Sequence, residues 1–403
     1  MIIYHSFFVK CFVYFYNNVI MILGGNMKKV SILSLHLGYG GIEKSVAALA
    51  NMLCDKYDVE IACTYKLYDN SVFPVNEKVK ITYLTDVKPN KAEIKQAFKS
   101  KNIFRMCKEL FFAFKVLRLR KKTMINYIKD CDSDVIVATR DIFDEWLGEY
   151  GKENTIKIGW EHNHYHNDFK YAANITRANK RLDYLVLVSN SLKKFYSKEL
   201  INAKCECVYI PNVIESIPEK VAPLNQKRLV SVGRLSPEKG FMDLLKIYTM
   251  LHKIYPDWKL DIVGDGVEKD NLQKFIYDHK LEETVTLHGF RDKEYIDKLL
   301  HESSIYLLTS FTESFGIVLI EAMSHGVPCI AFDSAEGARE LIYSGRNGYL
   351  IKNRSYAAFL KKTIDLIESK EERKKIGKVS REGVKKYTCE VVREQWIELI
   401  EES

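Results

Sequence analysis

A pair of glutamates with seven residues between them is a candidate binding element of the sequence. Glu313 precedes a helix predicted over Phe315–His325, and Glu321 lies within its otherwise apolar run. A carboxylate in an apolar setting needs hydrogen-bond partners, and the hydroxyl groups of a ligand can supply them. Eight residues of helix rise about 12 Å, whereas the two acids of a glycosidase lie roughly 5–9.5 Å apart. The spacing therefore favours two carboxylates that hold different parts of one extended ligand.

Two cations follow a predicted strand in the same half of the chain. The strand Arg228–Gly233 leads into Arg234, and Lys239 stands near the start of the helix predicted over Glu238–Ile254. Pro237 suits an early helical position. Cations beside a helix N-terminus attract phosphate through their charge and through the helix dipole. The pattern thus predicts a phosphate site, with ordinary surface cations as the alternative.

A glycine-rich turn follows the first predicted strand, Val30–Leu35, and opens a helix. Gly40 and Gly41 let backbone approach a ligand closely, and free N–H groups at a helix start favour anions. Glu43 or Lys44 stands where the dinucleotide fingerprint would have its third glycine, and no Walker A lysine pattern is present. A ligand-binding turn and a simple tight turn both remain open.

These residues need strands and helices to position them, and the chain alternates short apolar runs with amphipathic stretches. This alternation is typical of α/β proteins with parallel sheets. It is interrupted over 216–227, where Pro218 and Pro223 indicate a linker. We predict two doubly wound Rossmann-like domains with a ligand cleft between them. The predicted boundaries are 27–215 for an N-terminal domain, 216–227 for the linker, 228–386 for a C-terminal domain, and 387–403 for a helix that packs back on the N-terminal domain.

Length and composition agree with this architecture. The 403 residues are 47% hydrophobic with only 8 prolines, which excludes disordered and collagen-like proteins. The mean hydropathy of −0.19 excludes a polytopic membrane protein. The 9 cysteines are scattered and form no C-x-x-C pair, so a reducing cytoplasm is expected.

The first 26 residues are almost entirely aromatic and aliphatic, ending in Gly24-Gly25-Asn26 before Met27. The apolar run is too short for a clean membrane span, and no small-residue cleavage site follows it. Residues 1–26 are therefore interpreted as an over-extended start, with a membrane-associating segment as the alternative.

The positive charge of the chain is concentrated in one segment. Lys88–Lys122 contains 12 Lys and Arg and two acids, a local charge of +10 within a formal total of +8. Phenylalanines and leucines lie between these cations, so as a helix the segment would suit an anionic lipid surface. A solvated helix packed on the N-terminal domain is the alternative. Nucleic acid is not expected because no nucleic-acid-binding motif accompanies the charge.

The second half of the sequence resembles the donor domain of the retaining family 4 glycosyltransferases, which have the GT-B fold and include bacterial capsule and exopolysaccharide enzymes. The resemblance covers most of Arg228–Ile351 in order, and its motifs are Val232–Gly240, Asp261–Gly266, Leu287–Phe290, Glu313–Pro328, Gly337 and Gly345–Tyr349. In the first half only Gly40-Gly41, Trp160–Asn163, Val188–Ser191 and Pro211-Asn212 are similar. The resemblance thus implies that 27–215 is the acceptor domain and 228–386 the donor domain.

The resemblance implies a role for each matching residue. Arg234 and Lys239 would clamp the donor diphosphate and offset the charge of the leaving group. Glu313 would bind hydroxyls of the donor sugar, and Glu321 those of the ribose. His162 would lie near the transferred sugar, with His164 as a rival. The implied catalytic residues are Glu313, His162, Arg234 and Lys239, and the implied donor-binding residues are Gly40, Gly41, Gly233, Arg234, Lys239, Gly264, Gly266, Phe290, Arg291, Glu313, Ser314, Phe315, Gly316, Ile317 and Glu321.

No metal and no cofactor is expected, since family members usually need none. His162, His164 and His166 alternate and could share one face of a strand, but no Cys or Asp is placed to complete a tetrahedral set. Asp132-Ser133-Asp134 mimics the D-x-D of metal-dependent transferases, although it precedes a strand in the other half.

The resemblance implies a hexosyltransferase of bacterial surface polysaccharide biosynthesis. Its donor would be a nucleotide sugar, with UDP as the expected nucleotide, and its acceptor would be a lipid-linked saccharide. It would attack with retention and without an established enzymic base. It would be cytoplasmic and held at the inner leaflet of the plasma membrane through Lys88–Lys122. Two alternatives are a GT-B phosphorylase or epimerase and a non-catalytic partner of another glycosyltransferase; the intact glutamates and cations favour the transferase.

Overall fold

The structure is a computed structural model that describes residues 27–165 and 168–402. The two hypotheses for residues 1–26, and the part of the histidine alternation that falls on His166, lie outside these residues. The described chain forms two parallel sheets, each flanked by helices, so the predicted pair of doubly wound α/β domains is confirmed.

The first domain is described from Lys29 to Tyr209. Its strands are β1 (Lys29–Ser34), β2 (Asp58–Tyr65), β3 (Lys80–Thr85), β4 (Val135–Ala138), β5 (Ile156–Glu161), β6 (Tyr184–Leu187) and β7 (Glu206–Tyr209). Its helices are α1 (Gly41–Leu53), α2 (Lys91–Lys99), α3 (Ile103–Asp130), α4 (Asp141–Tyr150), α5 (Phe169–Asn179) and α6 (Asn190–Glu199). The strands pair in the order β3-β2-β1-β4-β5-β6-β7, and because helices cover both faces, the central strand β4 is aliphatic throughout.

The second domain has the same construction. Its strands are β8 (Arg228–Val232), β9 (Lys259–Val263), β10 (Val285–Leu287), β11 (Ile305–Leu308), β12 (Cys329–Phe332) and β13 (Tyr349–Ile351). Its helices are α7 (Phe241–His252), α8 (Lys269–Asp278), α9 (Lys293–His301), α10 (Ile317–Ser324), α11 (Glu336–Leu341), α12 (Tyr356–Glu368) and α13 (Lys370–Gly383). The sheet order is β10-β9-β8-β11-β12-β13, with parallel pairing throughout.

The strand order reverses once in each sheet, between β1 and β4 and between β8 and β11. Loops leave such a switch point in opposite directions and open a crevice at the carboxyl ends of the strands. The glycine turn Gly40-Gly41 follows β1, while Lys239 and Glu313 follow β8 and β11. The topology therefore places the sequence motifs of both halves at the two crevices.

The chain crosses between the domains twice. Residues 216–227 lie against the second domain, where Leu224 is buried and its carbonyl accepts a hydrogen bond from Arg373. The last helix, α14 (Cys389–Glu401), packs against α1 of the first domain, and its Trp396 ring contacts Trp160 edge to face at 5.1 Å. The C-terminus of the chain thus supports the strand that leads into His162.

The helix predicted over Glu238–Ile254 begins later than expected, and this prediction was wrong at its start. Pro237–Lys239 form a short 3₁₀ turn, and α7 starts only at Phe241. Gly240 between them has a φ of +66°, and a Cβ there would overlap the carbonyl oxygen of Thr309. Glycine is needed because the turn lies directly on the end of β11, and this contact brings Lys239 toward Glu313.

The basic segment forms α2 and most of α3. Helix α3 presents large apolar side chains to solvent, and the most exposed are Phe104 at 90%, Phe111 at 73% and Ile103 at 70%. Within the described ranges, no helix combines the length and the apolar character needed to cross a membrane.

Candidate functional site

A cleft of about 700 Å³ lies between the two domains. The first domain contributes the turn at Gly40-Gly41, the first turn of α1, and His162 and Asn163 at the end of β5. The second domain contributes Arg234 and the segment Glu313–Ile317. The structure therefore brings together predicted residues from both halves of the sequence in one cavity.

Lys239 and Glu313 form a close ion pair on the donor side of this cleft. The Lys239 Nζ lies 2.6 Å from Glu313 Oε2, and the two side chains are 23% and 16% exposed. The Glu313 loop is held in turn by the Gly337 N–H, which donates to the Glu313 carbonyl at 2.6 Å. A Cβ on Gly337 would lie 2.6 Å from the Phe315 carbonyl carbon, so glycine permits this approach. The pair presents a cation and a carboxylate side by side, which suits a ligand that has both phosphate and hydroxyl groups.

Helix α10 begins directly after this loop. Gly316 adopts a φ of +83° and lets the chain turn into the helix at Ile317. Glu313 therefore lies in the loop and only Glu321 lies on the helix, so the helical spacing assumed for the pair does not apply. The backbone N–H groups at the start of α10 point out of the helix and favour a negatively polarised ligand atom.

Glu321 is buried on the cleft side of α10, with its side chain 11% exposed. Burial raises the pKa of this carboxyl group above its usual value, and the nearby Lys44 ammonium acts in the opposite direction. Lys44 belongs to α1 of the first domain, and its Nζ lies 3.7 Å from Glu321 Oε1 and 3.4 Å from Glu215 Oε1. The second predicted carboxylate thus meets a cation from the opposite domain.

Gly264 and Gly266 support the loop after β8. A Cβ on Gly264 would overlap the carbonyl oxygen of Gly233, and one on Gly266 would overlap that of Leu235. These glycines let two loops touch through their backbones, with the Leu235 N–H donating to the Asp265 carbonyl at 3.0 Å. They shape the loop that carries Arg234, and their direct contact with a nucleotide remains a prediction.

Phe290 and Arg291 lie after β10 at the rim of the cleft. The Phe290 ring is 69% exposed and meets the Tyr39 ring of the first domain edge to face at 6.0 Å. The Arg291 guanidinium lies 4.8 Å from the ring centre of Tyr295. Exposed aromatic rings and a planar cation can stack on a nucleobase.

His162 lies at the end of β5 with its ring 4.2 Å from that of Trp160. Burial, followed by the Arg140 charge, lowers the pKa of this imidazole to about 3, so the ring is neutral. Its Nε2 atom is buried and has no hydrogen-bond partner among residues 27–165 and 168–402. Because His162 also lines the cleft, this nitrogen is available to a ligand hydroxyl.

His164, the rival of His162, makes contacts across the cleft. Its N–H donates to Ser314 Oγ at 2.9 Å, and its Nδ1 lies 3.9 Å from Glu336 Oε1. Nearby, Asn190 donates to Glu340 through its N–H and its amide, at 3.0 and 2.7 Å. His164 therefore joins the two domains, whereas His162 faces the cleft.

The chain is similar to known glycosyltransferases. Residues 213–383 match the family model for glycosyl transferases group 1. The chain is 28% identical to an uncharacterized glycosyltransferase of Haemophilus influenzae over 381 residues, 92% of this chain and 99% of that protein. The protein is a glycosyltransferase, and the family match lies mainly in its second domain. This glycosyltransferase is also 26% identical over 346 residues to the N-acetylgalactosamine-N,N'-diacetylbacillosaminyl-diphospho-undecaprenol 4-alpha-N-acetylgalactosaminyltransferase of Campylobacter jejuni, across 81% of this chain and 86% of that one.

A solved structure shows the same fold. Anabaena HepE in complex with UDP and glucose superposes on this glycosyltransferase with a TM-score of 0.68 at 18% identity, covering 93% of this chain and 100% of HepE. This structure confirms the predicted fold, and the family match together with the glycosyltransferase relatives confirms the resemblance that the motifs indicated.

Sequence reasoning missed two features of this glycosyltransferase on the acceptor side. Glu43 is buried and pairs with Arg140 at 2.9 Å; a Cβ on Gly40 would overlap its carboxylate, while one on Gly41 would meet nothing within 4 Å. Gly40 therefore makes room for Glu43, and Gly41 leaves open space in the cleft. Lys44 is the second feature. It directly follows the buried Glu43 on α1, and neighbouring helical residues face about 100° apart. The sequence therefore indicated only that Lys44 points in a different direction from Glu43.

Proposed function

We propose that this protein is a retaining glycosyltransferase that transfers a hexose from a UDP-sugar to a lipid-linked saccharide in bacterial surface polysaccharide biosynthesis. The observation that carries the proposal is the Lys239–Glu313 pair at 2.6 Å, facing His162 across an interdomain cleft that also holds Arg234. The cation suits a diphosphate and the carboxylate suits sugar hydroxyls, and they meet where the two groups are joined in a nucleotide sugar.

The donor would lie with its diphosphate at Arg234 and Lys239 and its sugar toward the first domain. HepE, a structural neighbour, was solved with UDP and glucose in complex, which supports UDP as the nucleotide. The rim aromatics Tyr39 and Phe290 would receive the base, and the open space beside Gly41 would receive phosphate or sugar atoms. No step needs a metal, because cationic side chains offset the charge of the departing diphosphate.

The transfer forms a bond between the acceptor hydroxyl oxygen and C1 of the sugar, while the bond from C1 to the β-phosphate oxygen breaks. For retention both oxygens lie on the same face of the sugar. The hydroxyl proton passes to the departing phosphate oxygen. A neutral imidazole with a pKa of about 3 is a poor base, so the role we assign to His162 is a hydrogen bond to a sugar hydroxyl.

The proposed acceptor is a saccharide attached to a polyprenyl diphosphate. The Campylobacter jejuni relative is named for a diphospho-undecaprenol acceptor. The charge of the α2–α3 surface, which we define as residues 88–122, would hold the enzyme at the anionic cytoplasmic leaflet where such lipids are used. Exposed phenylalanines on α3 would insert among the headgroups. The enzyme would then be peripheral to the membrane on its cytoplasmic face.

The test is a panel of UDP-hexoses and UDP-N-acetylhexosamines, scored by release of UDP with undecaprenyl diphosphate-linked saccharides as acceptors. We expect one donor to be turned over and NMR of the product to show retained anomeric configuration. Glu313→Gln should lower kcat/KM by roughly 100-fold or more while leaving the fold intact. The control Glu371→Gln removes an exposed carboxylate that pairs with Lys374 on α13, far from the cleft, and should leave activity unchanged.

Two results would contradict the proposal. Inversion at the anomeric carbon would exclude the retaining reaction. Formation of a sugar 1-phosphate from a saccharide and inorganic phosphate, without any donor turnover, would identify a phosphorylase instead.

A further inference from the structure

Lys44 is the one cation within 4 Å of the Glu321 carboxylate in the described parts of the chain, and it comes from the other domain. Lys44 lies in the first turn of α1, where its N–H donates to the Gly40 carbonyl at 3.1 Å. Its side chain is 30% exposed and reaches across the cleft to α10. Closure of the two domains therefore brings a positive charge to a buried carboxylate of the donor site.

The distance between the two groups is informative. At 3.7 Å, Lys44 Nζ offsets the charge of Glu321 without a close hydrogen bond. Among residues 27–165 and 168–402, no side-chain hydrogen bond reaches the Glu321 carboxylate oxygens, whereas Glu313 is hydrogen-bonded by Lys239 at 2.6 Å. Glu321 is thus a buried carboxylate whose charge has a partner and whose lone pairs remain available for ligand hydroxyls.

The other charged groups around Glu321 do not replace Lys44. On α9, Lys293 is held by Asp297 of the same helix, and His325, just after α10, also contacts Asp297 at 3.1 Å. Glu215 shares Lys44 at 3.4 Å and adds negative charge. Asp297 and Glu215 both disfavour ionisation of Glu321, while Lys293 favours it less than Lys44 does.

We propose that Lys44 is a positioning residue for donor recognition, which acts across the domain interface by keeping Glu321 ionised and ready to accept the ribose hydroxyls of the nucleotide. The proposal rests on the proposed function, because it requires a ribonucleotide donor. It assigns the recognition of the ribose to a pair of residues from different domains. Nucleotide binding and domain closure then favour one another, since the carboxylate has its cation when the cleft is closed.

The experiment is a double-mutant cycle on UDP binding by isothermal titration calorimetry with the full-length protein. Lys44→Met should raise the Kd for UDP roughly tenfold at pH 7.5, since a charge-assisted hydrogen bond to the ribose is weakened. In a Glu321→Gln background the same Lys44→Met change should have little further effect. Lys44→Arg should restore most of the affinity because it retains the charge.

Two further measurements separate the proposed role from a direct or a merely structural one. Replacing UDP by 2′-deoxy-UDP should weaken binding less in Lys44→Met than in the wild-type protein, because the ribose contact is already impaired. Raising the pH from 6 to 8 should recover part of the UDP affinity of Lys44→Met, because removing the ammonium shifts the pKa of Glu321 upward. An equal thermal midpoint for Lys44→Met and wild type would show that the fold is intact.

The outcomes distinguish the two proposals. If Lys44→Met weakens UDP binding to the same extent with and without Glu321, Lys44 touches the nucleotide itself and the inference is wrong. If the wild-type protein binds UDP and Lys44→Met binds it equally well, the inference also fails, while the proposed function stands. If the wild-type protein does not bind UDP, the UDP-sugar donor and the inference are both contradicted.

Discussion

The two sides of the cleft treat buried carboxyl groups differently. On the donor side each carboxylate meets a lysine: Lys239 lies 2.6 Å from Glu313, and Lys44 lies 3.7 Å from Glu321. A buried charge is tolerated when an opposite charge accompanies it. These pairs provide cations and hydrogen-bond acceptors together, as a phosphorylated sugar nucleotide requires.

On the acceptor side, Glu43 also meets a cation, Arg140, whereas the buried carboxyl groups of Asp144 and Glu161 meet neutral partners. Asn179 donates to Asp144 at 3.1 Å, and the Tyr171 hydroxyl donates to Glu161 at 3.0 Å. Burial raises the pKa of Glu161 to about 7 and raises that of Asp144 as well. Within the described parts of the chain, the first domain therefore contains buried carboxyl groups that have no cationic partner, unlike Glu313 and Glu321 of the donor side.

The largest expected effect concerns two glycines, one on each side of the cleft. Gly264 has a φ of +145°, and an added Cβ would overlap the Gly233 carbonyl oxygen, whereas a Cβ on Gly41 would meet nothing within 4 Å. We expect Gly264→Ala to lower the free energy of unfolding by about 3 kcal/mol or more. Gly41→Ala should leave stability nearly unchanged but raise the KM for the donor. Urea denaturation and donor titrations measure the two effects; equal stability of both variants would contradict the distinction.

The neutral partners of Glu161 predict a pH dependence of intermediate size. Its pKa in the folded protein is about 7, above the usual value of 4.5 for a glutamate, so the folded state binds the proton more tightly than the unfolded state. The stabilisation is therefore present below about pH 4.5 and is lost as the pH rises through 7, by on the order of 2–3 kcal/mol. His162, with a pKa of about 3 in the folded protein, opposes this trend below the usual histidine pKa of 6.5.

Glu161→Gln removes the Glu161 contribution and leaves that of His162. As the pH rises from 5 to 8, the free energy of unfolding of the wild-type protein should fall relative to that of this variant. Urea titration at several pH values measures the difference. A constant difference between the two proteins would show that Glu161 is ionised throughout this pH range and would contradict the prediction.

The outer surface of the first domain gives the smallest expected effect. Phe104 and Phe111 are 90% and 73% exposed on α3, and a fully buried Phe side chain contributes about 1.5–3 kcal/mol, less in a headgroup region. The double variant Phe104→Ser and Phe111→Ser should reduce binding to phosphatidylglycerol vesicles roughly tenfold in co-sedimentation, with UDP binding unchanged. The matched control is Tyr277→Ser, which changes an aromatic residue that is 70% exposed on α8 of the second domain.

Loss of vesicle binding in Tyr277→Ser, or undiminished binding in the double phenylalanine variant, would contradict membrane docking through α3. Binding of the wild-type protein to neutral phosphatidylcholine vesicles with equal strength would show that the cations of the α2–α3 surface are not involved.

The sequence predicted the donor side well because its residues lie close together along the chain. The segments 233–240 and 313–321 each follow a strand, and a strand end at a topological switch point places its loop in the crevice whatever the rest of the fold does. The helix start predicted at Glu238 was wrong because the carbonyl of Thr309, which requires the left-handed Gly240, directly follows β11 and is far away in the sequence. A helical period alone contains no information about that contact.

The sequence by itself determined the two α/β domains, the two crevices and the residue types that enter them, because hydrophobic period and strand-end motifs act over short distances. Only the tertiary structure decided that Lys44 meets Glu321, that His164 joins Ser314 while His162 faces the cleft, and that the phenylalanines of α3 are exposed. Each of these depends on how separate elements pack together. An amphipathic sequence pattern is the same whether the apolar face of the helix is buried or exposed to solvent. The Lys44–Glu321 pair exists because two domains meet, and no local pattern in the sequence contains that information.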